Sequence, residues 1–272
     1  ENLCGIVLTF FPHPRMVLQK DNQLKMIDTL EEKIKIMESQ GVEVLIIHPF
    51  TLDFSRMTAI EYTRDILVKS LNISKLIIGY DHRFGRNRRA TVQDLKEFGK
   101  QYEFTVEDIP AQDIESIAVS STKVRNAIVS GEMKKVNQFL GRPFSVSGNI
   151  VKGDEIGRKI SYPTANLEIE EDYKLQPQNG VYLVQCHLDN HKYFGMMNVG
   201  KRPTISGKKN QIETYFFNFE GDLYGEKLKI DLLEKIRDEQ KFDSLESLGN
   251  QLGIDENSCL KLPIHVSNGF RT

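Results

Sequence analysis

The sequence predicts two domains of different architecture: a parallel α/β sheet covered by helices on both faces, then a small antiparallel β-barrel with a C-terminal helix. Three observations predict this. Short apolar runs alternate with helix-period stretches from Leu3 to about Leu140, the rhythm of parallel strands joined by crossover helices. That rhythm stops at Gly141-Arg142-Pro143. Beyond it, short strand-like runs follow one another between turn residues, the spacing of a small barrel.

In the first half, Ile6-Val7-Leu8-Thr9-Phe10 reads as a buried strand. Leu24, Ile27, Leu30, Ile34 and Met37 recur at helical spacing, with Gly41 where a C-cap is expected. Val42 to Ile47 and Lys75 to Gly79 are further strands, separated by the amphipathic stretch Met57 to Leu71. A helix over Thr91–Tyr102, a strand over Phe104–Ile109 and a helix after Ser120 complete the alternation. Ligands of such sheets sit beyond the carboxyl ends of the strands. In the second half, Phe144–Val151, Gly180–Leu188, Lys192–Val199, Gln211–Phe219 and Lys227–Leu233 are short strands, and Asp243 or Ser244 can cap a final helix. The domains are therefore expected at 1–141 and 142–272.

With 39% hydrophobic and 27% charged residues, the 272-residue chain has the composition of a folded protein. Its formal charge of −2 gives no field for nucleic acid or an anionic membrane surface. No apolar run reaches the roughly 18 residues that span a bilayer. Cys4, Cys186 and Cys259 are odd in number and far apart, which fits reduced thiols in a cytoplasmic protein. The sequence opens on Glu1, without Met, directly before an apolar strand, so the native N-terminus is expected to lie outside it.

Three clusters in the barrel half carry chemistry. The first is Gly148-Asn149-Ile150-Val151-Lys152-Gly153-Asp154-Glu155-Ile156-Gly157-Arg158, followed by Tyr162-Pro163-Thr164-Ala165-Asn166. Glycines let backbone N–H groups approach phosphates, and the neutral oxygens of Thr164 and Asn166 suit a Mg²⁺ that also keeps water and phosphate ligands. The glycines alone equally describe a hairpin turn. The second cluster is Asn198-Val199-Gly200-Lys201-Arg202-Pro203-Thr204; the third runs from Glu213 through Leu223-Tyr224-Gly225 to Arg237. Glu213 shares a strand face with Tyr215 and Phe217 by period two, and is either a general base or an outward carboxylate. Arg237 is equally readable as a helix-end ion pair.

The ordered series G-x-V-x-x-G-x-x-x-G-R, P-T-A-N, Gly180-Val181-Tyr182, N-V-G-x-R-P-T, a strand Glu, L-Y-G and Arg237–Phe242 resembles the flavokinase domain over roughly residues 142–252. The resemblance implies an ATP-binding flap with Gly148, Gly153, Gly157 and Arg158. It also implies Mg²⁺ held by Thr164 and Asn166, Glu213 as the base for the ribityl hydroxyl, and Arg237 beside the flavin. Ser161 and Tyr162 stand where the family often has Gly-Phe, and Lys152 where it often has His.

The first half resembles the Rossmann-like nucleotidylyltransferase module of the bifunctional riboflavin kinase/FMN adenylyltransferases, the prokaryotic FAD synthetases. The matching segments are Thr9–Pro14, Gly79–Gly85 and Val119–Arg125. By resemblance the nucleotide contacts are His13, Asp81, Ser120, Ser121, Thr122 and Arg125, the last four forming a phosphate site at a helix start. Read alone, Ser120 to Thr122 is a plain helix cap, and His13 beside two prolines is a strand end. Arg83, Arg86, Arg88 and Arg89 form a loop near nucleotide phosphates, a solvated charge run or a nucleic-acid patch. Phe11 and His82 replace the family's Asp and Phe. The family's H-x-G-H signature occurs nowhere in the sequence. Its first strand and helix are therefore expected to be missing, and a chain beginning at Glu1 is expected to make FMN but little FAD.

The expectation is a bifunctional enzyme that makes FMN from riboflavin and, in the complete protein, FAD from FMN, using ATP and Mg²⁺, without nucleic-acid or membrane partners. Two other readings remain: a kinase with a non-catalytic first half, and a flavin carrier or regulator. A carrier needs neither a base nor a metal pair. The sequence says nothing of protein partners, and the tail after about Gly253 matches no motif.

Overall fold

A computed structural model describes residues 3–18, 24–79, 82–110, 113–114, 117–189, 191–204 and 207–262. The chain divides into two compact units, one of residues 1–24 and 30–119, the other of residues 25–29 and 120–272.

The first unit is built on parallel strand pairs. Strand β1 (Ile6–Phe11) pairs with β2 (Val44–Pro49) across helix α1 (Leu30–Ser39). Strand β3 (Lys75–Gly79) pairs with β4 (Thr105–Ile109) across α2 (Val92–Tyr102). Among the described residues the two pairs are separate two-stranded ladders, where one continuous sheet was expected. Apolar runs reveal strands, but not which strands hydrogen-bond. Helix α2 starts where the Thr91 hydroxyl accepts from the Asp94 amide and the Asp94 carboxylate accepts from the Thr91 amide, a capping box. A helical turn at Ala59–Glu61 leads into a π-helical stretch, Tyr62–Ser70. Leu67, Phe84, Ala90 and Leu95 are buried together against Leu8, Leu76, Ile78 and Val106.

The second unit holds helices α3 (Ser121–Val129) and α4 (Met133–Leu140), then a closed barrel. Its strands are β5 (Phe144–Val151), β6 (Ala165–Glu168), β7 (Gly180–Leu188), β8 (His191–Thr204), β9 (Gly207–Phe216) and β10 (Lys227–Arg237). They are ordered β8-β9-β6-β5-β10-β7, and every pairing is antiparallel. Phe144, Val146, Val184, Met197, Val199, Ile230 and Leu232 are fully buried. A final helix, α5 (Leu245–Lys261), starts at Ser244, whose hydroxyl accepts from the Ser247 amide. It packs Leu252 and Cys259 against Val181, Leu183, Met196 and Phe217.

One expected helix is shorter than its periodicity suggested. The apolar spacing began at Leu24, yet α1 begins at Leu30. The intervening Lys25–Thr29 makes an isolated bridge at Met26, bends at Ile27 and Asp28, and belongs to the barrel unit. Met26 exchanges backbone hydrogen bonds of 2.7 Å with Tyr173 and Leu175, and Arg142 pairs with Asp28 at 2.6 Å. Lys174, only 2% exposed, donates to the Ile27 carbonyl at 2.7 Å and stands 4.8 Å over the Phe144 ring. These partners are more than a hundred residues away, so no local pattern announces them.

Candidate active site

Cross-strand register assembles the kinase-type residues. Along β9, Glu213 stands opposite Asn198 on β8 and opposite Asn166 on β6, and Asn166 in turn faces Val151 on β5. Opposed residues of antiparallel strands project to the same face. One row across the sheet therefore joins the P-T-A-N segment, the N-V-G segment and the strand carboxylate. Asn166 is 8% exposed and Glu213 half-buried. The amide nitrogen of Gln211 donates to Glu213 Oε1 at 2.7 Å and to Asn166 Oδ1 at 3.3 Å.

The Gly-rich segment folds over this row. Asn166 fills the place where a Cβ at Gly153 would lie, and the Tyr162 carbonyl fills that place at Gly157. Close approach of the Tyr162 backbone therefore requires glycine at 157, and at 153 a side chain would displace that of Asn166. Gly148 lies on β5 in the same relation to the Glu168 carbonyl. The turn returns through a 3₁₀ segment, Gly157–Ile160, to Ser161, whose φ of 65° is left-handed. That explains the family's glycine at the position Ser161 occupies. Arg158 is exposed and lies 3.7 Å from Glu155.

Odd and even positions of β9 serve different surroundings. Thr214 and Phe216 line a cavity of about 80 Å³ with Arg158, Thr164, Leu223 and Tyr224. Thr214 is completely buried, and its hydroxyl has no hydrogen-bond partner. On the other face, beyond Glu213, Tyr215 meets Tyr162 edge-to-face at 5.0 Å. Tyr162 donates to Glu256 of α5 at 3.2 Å. Burial, then the charge of Glu256, raises both tyrosine hydroxyls above their usual range.

Arg237 ends β10 with its guanidinium directed at α5. It forms a bidentate pair with Asp255 at 2.7–3.0 Å, donates to the Asp238 carbonyl at 3.0 Å, and lies 5.7 Å from the Phe242 ring. Asp255 is 1% exposed. The ion-pair alternative for Arg237 is therefore what the geometry displays, and it fixes the strand end to the helix.

A divalent cation suits this row. The candidate oxygens of Thr164 and Asn166 are neutral and two residues apart. Among the described residues no group of three or more His, Cys, Asp or Glu side chains forms a metal cage. Such a donor set suits Mg²⁺, which keeps water and phosphate oxygens as its other ligands.

The nucleotide-type residues of the first half are distributed over both units. His13 follows β1, half-buried, and its Nδ1 accepts from the Arg15 amide at 3.2 Å. Ser120 caps α3 by accepting from the Lys123 amide at 3.3 Å, and Ser121 and Thr122 are exposed in the first turn. Arg125 donates through Nε to the Lys25 carbonyl at 2.9 Å. Asp81 lies outside the described residues. In the first unit a second cavity, of about 570 Å³, is lined by Thr58, Phe84, Gly85, Arg86, Arg89 and Asp94 among others. Sequence reading passed over Gln211, although period two places it on the face of Glu213.

Comparison with known proteins matches residues 140–262 to the riboflavin kinase family and residues 1–123 to the FAD synthetase family. The bifunctional riboflavin kinase/FMN adenylyltransferase of Buchnera aphidicola subsp. Schizaphis graminum is 37% identical over 260 residues, 94% of this chain and 82% of that protein. The protein of the same description from Escherichia coli K12 is 34% identical over 257 residues, 94% of this chain and 82% of that one. A crystal structure described as a macrolide-efflux protein from Streptococcus pneumoniae superposes with a TM-score of 0.86 at 33% identity, covering 94% of this chain and 83% of that one. Among the described residues of this chain, no helix is long and apolar enough to cross a membrane.

Proposed function

The chain belongs to the bifunctional riboflavin kinase/FMN adenylyltransferase family, and from that premise we propose that residues 142–272 carry the kinase and residues 1–141 the adenylyltransferase. The observation that carries the kinase reading is the row of Glu213 and Asn166, held by Gln211. Glu213 accepts the proton of the ribityl 5′-hydroxyl as that oxygen bonds to the γ-phosphorus of ATP. The bond to the β,γ-bridging oxygen breaks, and FMN and ADP result. A positioned carboxylate makes a poor alcohol nucleophile competent, and the remaining work is positioning and charge stabilisation.

Gly148, Gly153, Gly157 and Arg158 close over the nucleotide. Thr164 and Asn166 would hold Mg²⁺, which would supply charge neutralisation at the phosphate oxygens. Arg237 acts toward the flavin by fixing the loop that follows it, through Asp238 and Phe242. In the adenylyltransferase, an FMN phosphate oxygen attacks the α-phosphorus of a second ATP and pyrophosphate leaves. His13, Asp81, Ser120, Ser121, Thr122 and Arg125 contact that nucleotide. The substrates are small molecules, and free thiols, buried at Cys186 and Cys259 and exposed at Cys4, suit a reducing cytoplasm.

The test is an incubation with riboflavin, ATP and Mg²⁺, its products separated as FMN and FAD. FMN formation supports the kinase reading; riboflavin that binds and is returned unchanged favours a carrier.

A further inference from the structure

We propose that Gln211 is the positioning residue of the kinase site, its side-chain NH₂ holding the base and a metal-binding side chain in one arrangement. The inference rests on the assignment of Glu213 and Asn166 above. An amide NH₂ has two protons and can serve two acceptors. One is directed at Glu213 Oε1, 2.7 Å away, and the other at Asn166 Oδ1, 3.3 Å away.

The arrangement follows from the strands. Gln211 and Glu213 are two residues apart on β9, so their side chains share a face. Asn166 is placed opposite Glu213 by the β6–β9 register. The Asn166 oxygen has two lone pairs, so accepting from Gln211 leaves one for a cation. A hydrogen bond to a carboxylate is stronger than one between neutral groups, and it restrains the rotamer of Glu213. Without it, Glu213 keeps its chemistry but loses one of the contacts that direct it toward the hydroxyl. Gln211 touches no reacting atom, so its effect is exerted entirely through its two partners.

The experiment uses the full chain with Gln211→Met, which keeps the length and removes both donors. Gln211→His retains one ring N–H at similar reach. Gln211→Met is expected to lower kcat for FMN formation about tenfold, the loss of one charge-assisted hydrogen bond. Riboflavin KM and thermal midpoint are expected to stay near the parent's, with Gln211→His in between on kcat. In a Glu213→Gln background the same change is expected to cost less than about twofold, because residues acting as a unit are not additive. Calorimetry adds a readout independent of turnover: Gln211→Met weakens Mg²⁺·ADP binding but leaves binding of ADP in EDTA unchanged.

Equal losses of kcat in the parent and Glu213→Gln backgrounds would overturn the inference, as would a Gln211→Met enzyme within twofold of the parent. If Glu213→Gln lowers kcat steeply in those cases, the base assignment survives and only the role of Gln211 falls. A Glu213→Gln enzyme close to the parent removes both.

Discussion

In the proposed kinase site, Thr164 and Asn166 would be the protein's share of the shell of a nucleotide-bound cation. Each offers one neutral oxygen, and Asn166 is held between the Gly153 backbone and Gln211. Thr164→Ala and Asn166→Ala are expected to raise the Mg²⁺ concentration for half-maximal kinase activity and to weaken Mg²⁺·ADP binding together. Unchanged Mg²⁺ dependence in both variants would withdraw them as ligands. Ser161 poses a separate residue-scale question, since its left-handed φ of 65° is unfavourable for any residue with a Cβ. Ser161→Gly is expected to raise the thermal midpoint slightly, its relief of strain partly offset by glycine's greater unfolded entropy. Ser161→Val is expected to lower the midpoint by several degrees, because a β-branched residue fits that region poorly. Equal midpoints for the two would show that the turn relaxes at no cost.

Strands were more legible than the contacts between them. Phe144–Val151 and Gly180–Leu188 are strands over the ranges their turn residues suggest, because both ends are punctuated locally. The Leu24–Met37 periodicity misled over its first six residues, where Met26 and Ile27 are engaged by Tyr173, Lys174 and Leu175. Helix α5 is held to β10 through Arg237 and the buried Asp255. Arg237→Met is expected to cost about 3–5 kcal/mol in denaturant unfolding, since it strands a buried carboxylate. Adding Asp255→Leu is expected to restore most of that loss. A single variant within about 1 kcal/mol of the parent would show the pair contributes little beside the apolar contacts of α5.

The same packing sets an alkaline limit. Burial, then neighbouring carboxylates, pushes the Cys186 thiol up to about 11 and the Cys259 thiol up to about 12, from an ordinary 9.0. Above pH 9 the unfolded chain releases these protons before the folded one does. The stabilisation is thus complete below pH 9 and is lost as pH rises toward about 12. The unfolding midpoint is expected to fall over that range, and to fall less steeply in the Cys186→Ala, Cys259→Ala double variant. An identical slope in the two proteins would assign the alkaline loss to other groups.

At the scale of the whole molecule, the change of rhythm after Leu140 announced two architectures, and ordered motifs announced the kinase site. Neither could place Lys25–Thr29, α3 and α4 with the barrel. That grouping comes from pairings such as Arg142–Asp28 and from the Asn137 side chain, which bridges the Phe144 amide and the Leu232 carbonyl. The sequence leaves Glu213 open between base and surface carboxylate, and the register that sets it opposite Asn166 supports the proposed base reading. The most direct test of the account is kcat for FMN formation by Glu213→Gln, with riboflavin and ATP affinities measured alongside. The account predicts a fall of about 10²-fold, the lower end for general base catalysis because a loose phosphoryl transition state asks less of a base, with both affinities little changed. A kcat within about threefold of the parent, well under the tenfold that 1.36 kcal/mol represents, would contradict it.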